Sequence, residues 1–299
     1  MSEPKVSRLR GVALGAPKMS KTKDFYTDVW GLTQVAEEAG AVYFRGTSPE
    51  HHVLSIHDAD HRGIVYINLA AQDRATMQAL FERAQGAGAK VAAAPRALDT
   101  PGGGIGFDIV DPNNRLLRVA AEVEQHHEFA DRPDAPRKIT HCVLNTPRFE
   151  TVLEFYQSTL GFQISDWSEN QMVFIRCNVD HHSIALNRAD HASLNHIAFE
   201  MPSIDAQMKG IGRMKRHGRE VGWGVGRHGP GNNTFSYFTD PSDFVIEYTA
   251  EVERIDPATH EPRVWKRTPE LMDRWGTAGP PPPDFRKFMA GEPDPGYQG

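Results

Sequence analysis

Cysteine is nearly absent. The 299 residues hold two, Cys142 and Cys177, too few for a disulfide framework, so the chain must draw its stability from a packed core. Long apolar runs are lacking as well. No stretch approaches the roughly 20 residues that span a bilayer, and the opening MSEPKVSRLRG carries no apolar segment of a secretory signal. Charge of one sign never gathers into blocks: 33 Lys and Arg are mixed with 39 Asp and Glu for a net charge of −6. That argues against nucleic acid or an anionic membrane as partner. These absences predict a soluble, cytoplasmic chain, and its length suffices for two modules with separate cores. What is abundant is histidine, 14 residues with several in adjacent pairs, among them His51-His52 and His181-His182. Neighbouring side chains on a strand point to opposite faces, so position has to decide which histidines matter.

A repeat supplies positions to compare. RGVALGAPKMSKTKDFYTDVWGLTQV (10–35) lies over THCVLNTPRFETVLEFYQSTLGFQIS (140–165) without a gap, at an offset of 130 (140 − 10). His51-His52 and His181-His182 keep that offset, and Asp111-Pro112 with Asp240-Pro241 follow at 129 (240 − 111). Each copy reads as a strand, a Pro that can open a helix, a helix (about 18–29 and 148–159) closed by a glycine, and three short alternating strands. A second round begins with strands at 64–69 and 194–199 and helices at 73–86 and 204–216. The predicted fold class is α+β, with each copy made of two units that pair into one curved sheet with helices outside. The expected organisation is an N-terminal module at 6–124, a polar linker at 125–137, a second module at 138–252, and a Pro-rich tail at 253–299. Four large aromatics of that tail, Trp265, Trp275, Phe285 and Phe288, suggest that it docks in part on the body.

Residues needed only for folding should serve equally in both copies, and three positions break that rule. His141 faces Gly11, His196 faces Tyr66, and Glu247 faces Arg118. All three lie on predicted strands, and a sheet curled inward would bring two imidazoles and a carboxylate together. Such a set suits a non-haem Fe(II) centre with open positions, and zinc accepts similar donors. His228 and Tyr237, in GRHGPGNNTFSYFTDPSDFVIEY (226–248), stand close enough in sequence to converge with Glu247 across neighbouring strands.

The second module resembles the catalytic half of the vicinal-oxygen-chelate superfamily, specifically the type I extradiol ring-cleaving dioxygenases. The matching stretches are ITHCVLNT (139–146), DHHSIAL (180–186), LNHIAFE (194–200), GRHGPGNNTFSYF (226–238) and VIEY (245–248). The resemblance covers about 6–252 and implies two tandem modules of paired βαβββ units, the first without metal. It implies His141, His196 and Glu247 as metal ligands, with His182, His228 and Tyr237 beside them as catalytic groups, His181 being the alternative to His182. Val143, Phe174 and Trp223 are expected in the substrate wall, and Arg188, Arg227 or the tail as possible partners of a substrate carboxylate. Gly224, Gly226, Gly229 and Gly231 are expected to let the loop approach the ligand.

What the resemblance implies chemically is insertion of both atoms of O2 into a catechol-type aromatic diol, with ring opening beside the hydroxyls, in the catabolism of aromatic compounds. The cofactor is Fe(II), with Mn(II) as the alternative, and the assembly is a homo-oligomer. His228 and Tyr237 would hydrogen-bond a substrate hydroxyl, and His182 would donate a proton as the O–O bond breaks. The competing readings are another Fe(II)-dependent dioxygenase of the superfamily and a metal-free protein that sequesters an aromatic compound.

Overall fold

The computed structural model describes residues 3–38, 40–128 and 132–297. Three linker positions (129–131) and the last two positions of the tail therefore lie outside the described residues. In the first module the order is β1 (Arg8–Ala16), α1 (Met19–Asp24), β2 (Thr33–Glu38), β3 (Ala41–Arg45), β4 (Leu54–Asp58), β5 (Gly63–Ala70), α2 (Arg74–Gly86), β6 (Lys90–Ala97), β7 (Ile105–Val110) and β8 (Leu116–Ala121). The second repeats it as β9 (Ile139–Thr146), α3 (Phe149–Leu160), β10 (Gln163–Ser168), β11 (Met172–Arg176), β12 (Ile184–Arg188), β13 (Ser193–Glu200), α4 (Ile204–Arg216), β14 (Trp223–Arg227), β15 (Thr234–Thr239) and β16 (Val245–Ala250). The tail adds β17 (Arg263–Trp265), α5 (Pro269–Met272) and α6 (Pro283–Ala290).

Each module is one mixed sheet built from two βαβββ units, as the sequence predicts. The first runs β2-β3-β4-β1-β5-β8-β7-β6 and the second β14-β15-β16-β13-β9-β12-β11-β10-β17. Within a unit the first strand pairs in parallel with the last, β1 with β4 and β13 with β16, and the units join through antiparallel β1–β5 and β9–β13. The helices start and stop where local chemistry requires. Asp73 and Ser203 accept hydrogen bonds from Thr76 N and Ala206 N at the N-termini of α2 and α4. Gly161, at φ +76°, ends α3.

One helix departs from expectation. The span predicted at 18–29 is a six-residue α1 followed by a π-helical turn, Phe25–Trp30. This widened turn delivers Trp30 to the other module, where it stacks on Tyr248 at 3.7 Å and meets Phe199 and Phe238 edge-on. Arg213 of α4 closes the turn by donating to the Val29 and Trp30 carbonyls. The apolar core is accordingly continuous across both modules. None of the described helices is long and apolar enough to cross a membrane.

Candidate metal centre and its cavity

Strand β9 is buried along its whole length, because its two faces serve two cores. Cys142 and Leu144 enter the apolar core, while His141, Val143 and Asn145 line a cavity of about 610 Å³ on the opposite face. Ala198 of β13 pairs with His141 on one side and with Glu247 of β16 on the other; Glu247 in turn pairs with Tyr237 of β15, and Tyr237 with Trp223 of β14. A single row of cross-strand neighbours thus carries His141, Ala198, Glu247, Tyr237 and Trp223. His196 stands two residues before Ala198, next to a register shift in β13. The small side chain of Ala198 leaves the middle of this row open.

In that opening the ligand atoms of His141, His196 and Glu247 all lie within 4.8 Å of one another, and all three residues are buried. Glu247 Oε2 sits 3.4 Å from His141 Nε2 and 3.3 Å from His196 Nε2. Yet Glu247 Oε2 and His196 Nε2 have no hydrogen-bond partner, an arrangement that buried polar atoms rarely tolerate. Asn195 Oδ1 lies 2.8 Å from His196 Nδ1, so that nitrogen carries the proton and Nε2 keeps its lone pair. Two imidazoles and one carboxylate converging on one point, with His196 Nε2 and Glu247 Oε2 left without partners, fit a divalent metal ion.

The other expected residues surround the same cavity. Val143, Phe174, Trp223, His182, His228 and Tyr237 all line it. His228 stands with Nε2 3.0 Å from the Tyr237 hydroxyl and Nδ1 3.1 Å from the Met272 carbonyl. The carbonyl can only accept, so Nδ1 bears the proton and Nε2 accepts from Tyr237. Burial presses the His228 pKa down to about 4, against the pull of Glu247, and raises that of Tyr237 well above the ordinary phenol value. Both are neutral at pH 7. Of the adjacent pair, His182 lines the cavity, its ring centroid 4.1 Å from that of His141. His181 stands behind it, Nδ1 to Nδ1 at 2.9 Å.

Several expectations are corrected. Arg188 and Arg227 do not line the cavity; they pair with Glu150 and Glu251. The loop glycines make room for protein rather than for a ligand. A Cβ on Gly226 would meet the Phe235 ring at 2.4 Å, one on Gly229 the Leu271 carbonyl at 2.5 Å, and Gly231, at φ +76°, abuts His181 and His182. Of the four tail aromatics Trp265 and Phe285 pack in, whereas Trp275 and Phe288 stay exposed. The tail is both packing and cover: Leu271, Met272, Pro281 and Met289 line the cavity, and Asn145 Nδ2 donates to the Met289 and Ala290 carbonyls.

The first module shows what the same row becomes without a metal. Its equivalent reads Gly11, Asn68, Arg118 and Asp108. Arg118 forms two hydrogen bonds to Asp108, Arg96 adds a third, and the Arg118 guanidinium covers the Tyr66 ring. A side chain at Gly11 would run into the Val53 carbonyl at 2.4 Å. An ion pair thus fills the space that in the second module stands open.

Asp166, Asn195, Asn233 and Ala198 escaped the sequence reading. The repeat comparison could have flagged them, since it sets Asp166 against Ala36 and Asn195 against Val65 (offset 130, 166 − 36), and Ala198 against Asn68.

Fold and site together define a two-module protein whose second module, among the described residues, joins a cavity to a metal-capable triad. Residues 8–119 and 138–248 both match the model of the Glyoxalase/Bleomycin resistance protein/Dioxygenase superfamily, and the chain belongs to that superfamily. Metapyrocatechase 2 of Cupriavidus necator is 31% identical over 143 residues, 47% of this chain and 45% of that protein. The match thus spans about half the length of that relative. A biphenyl-2,3-diol 1,2-dioxygenase of Paraburkholderia xenovorans is 22% identical over 252 residues, 78% of this chain and 84% of the relative. Among solved structures, the Mn(II)-bound glyoxalase from Novosphingobium aromaticivorans superposes with a TM-score of 0.91 at 40% identity, covering 98% of this chain and 97% of the other. Homoprotocatechuate 2,3-dioxygenase from Arthrobacter globiformis superposes at 0.84 with 20% identity, covering 95% and 92%, a likeness of fold.

Proposed function

We propose that the chain is an extradiol-type dioxygenase that opens the ring of a catechol-type aromatic diol with O2, using His141, His196 and Glu247 to hold Fe(II) or Mn(II). The observation that carries this is the convergence of one buried triad with His182, His228 and Tyr237 on a single cavity. A divalent ion held there would supply a common seat for the diol oxygens and O2 and a path for electrons between them. Everything else falls to the chain. The apolar walls Val143, Phe174 and Trp223 bind the aromatic body and orient it. His228 Nε2, neutral and already accepting from Tyr237, is placed to take the proton of a diol hydroxyl, and Tyr237 to hydrogen-bond the oxygen left behind. His182 faces the cavity from the other side and, once protonated, is the donor at the oxygen end.

The cavity volume lies mid-range for pockets that enclose drug-sized ligands, which favours a diol with a substantial substituent or second ring. Anaerobic loading with Fe(II), followed by O2 uptake and ring-fission absorbance over a series of catechols, tests the reading. Iron-loaded protein that consumes no O2 with any diol would overturn it. The 40%-identical structure described as a glyoxalase motivates one alternative, a metal-dependent reaction without O2, and the same assay under argon separates the two.

A further inference from the structure

His182 is the end of a buried chain of hydrogen bonds. Its Nδ1 lies 2.9 Å from His181 Nδ1, and His181 Nε2 lies 3.0 Å from Asp166 Oδ2. Asp166 is itself held by two donors of the tail strand β17: Trp265 Nε1 to Oδ2 and Arg263 N to Oδ1, each at 2.7 Å. Burial opposes ionisation of Asp166, but the His181 hydrogen bond and those from β17 hold its carboxyl below the usual range. A carboxylate accepts only, which sets every proton along the chain. Neutral His181 carries its proton on Nε2, so its Nδ1 accepts; His182 then carries its proton on Nδ1, and its Nε2 meets the cavity bare.

The first module is an internal control. His51 and His52 repeat the pair, Nδ1 to Nδ1 at 3.1 Å. At the same strand irregularity, however, Ala36 replaces Asp166, and among the described residues β2 is an edge strand with no strand paired beyond it. The acid and the strand that holds it occur together, in the module with the metal-capable triad. The tail also sets the second histidine, since the Met272 carbonyl takes the Nδ1 proton of His228.

We propose that tail residues 263–273 are a positioning element that sets the tautomers of both cavity histidines, His182 through Trp265, Asp166 and His181, and His228 through the Met272 carbonyl. His182 then presents a bare Nε2 to the cavity, and His228 an Nε2 that can only accept, from Tyr237 or from the bound diol. The proposal rests on the dioxygenase reading for its kinetic consequence, but not for its structural one.

The test is Asp166→Asn in the full-length protein. An amide offers one acceptor oxygen to three N–H groups, those of Arg263, Trp265 and His181, so the proton order along the chain is lost. Three measurements decide: long-range ¹H–¹⁵N correlation spectra of histidine-labelled, metal-free protein, metal affinity, and kcat against KM for the diol. The expected result is loss of the single Nδ1–H state of His182, a fall in kcat of roughly 10- to 100-fold, and KM and metal affinity within about twofold of wild type. Trp265→Phe, which keeps the ring and removes one donor, shifts both readouts the same way by less, and it decides the matter if Asp166→Asn does not fold. Wild-type tautomers in both variants would overturn the proposal. So would a fall in kcat matched by equal losses of metal affinity and melting temperature, since that is the mark of a merely structural role. If wild-type protein turns over no diol at all, the dioxygenase reading fails, while the spectra still decide the positioning claim.

Discussion

Replacing Glu247 by glutamine keeps the shape of the side chain and removes one buried negative charge, and the consequence should change sign with metal. In metal-free protein Glu247 Oε2 has no hydrogen-bond partner, and an unpaired buried carboxylate is costly. Glu247→Gln should therefore melt at or above the wild-type temperature. With metal the order reverses. At an effective dielectric of about 20, unit charges roughly 4 Å apart interact by about 4 kcal/mol, more than the approximately 2.7 kcal/mol that corresponds to a hundredfold loss of affinity. At a metal concentration about 100 times the wild-type Kd, binding stabilises the wild type by about 2.7 kcal/mol, whereas a hundredfold weaker variant gains only about 0.4. For a chain of this size the difference is roughly 5 °C in melting temperature. Thermal melts of chelator-stripped protein, titrated with Mn(II), read both arms. Equal stabilisation of variant and wild type by metal would refute the assignment of Glu247 as a ligand, and a variant markedly less stable without metal would refute the account of its orphaned oxygen.

Other perturbations separate the neighbouring groups. Tyr237→Phe removes the donor to His228 Nε2; it should cost about 1 kcal/mol in stability and lower turnover of the diol, while metal uptake stays at the wild-type level by metal analysis. His52, far from the triad in sequence, sets a pH dependence: burial, aided by Arg10 and His51, presses its pKa down to about 3. The folded state therefore binds fewer protons than the unfolded one. Its contribution is complete above the ordinary histidine value near 6.5 and is lost as pH falls toward 3, at up to about 1.4 kcal/mol per pH unit. Denaturant titrations at pH 7 and 5 should show a shallower slope in His52→Asn, and parallel slopes would contradict the argument. Phe285 packs beside Trp223 and Tyr237. Phe285→Ala should weaken docking of α6 by about 3 kcal/mol, seen as faster proteolysis within 280–297 and a higher KM, with the body of the protein melting near its normal temperature.

Much of this was legible in the amino-acid order because the chain is a duplication. Alternation and turn residues placed the two βαβββ units of each module, since a strand with two buried faces and a helix closed by glycine leave local signatures. Comparing the copies singled out His141, His196 and Glu247 against Gly11, Tyr66 and Arg118, and the first of these contrasts is steric: Gly11 has the Val53 carbonyl where a side chain would begin. Local pattern could not show that Trp30 needs a widened turn to reach Tyr248, because the partner lies 218 residues away (248 − 30). Nor could it choose between His181 and His182. Both occupy the same motif, and only the curl of the sheet turns one ring into the cavity and the other toward Asp166.

The sequence by itself determined the repeat, the fold class and the residue types able to hold a metal, since these follow from periodicity and from what each copy has that the other lacks. The tertiary structure alone decided which nitrogen of each histidine faces the cavity, what fills the corresponding space in the first module, and that the tail strand β17 joins the second module's sheet at Asp166. These are contacts between residues distant along the chain, and they exist only once the sheet has closed.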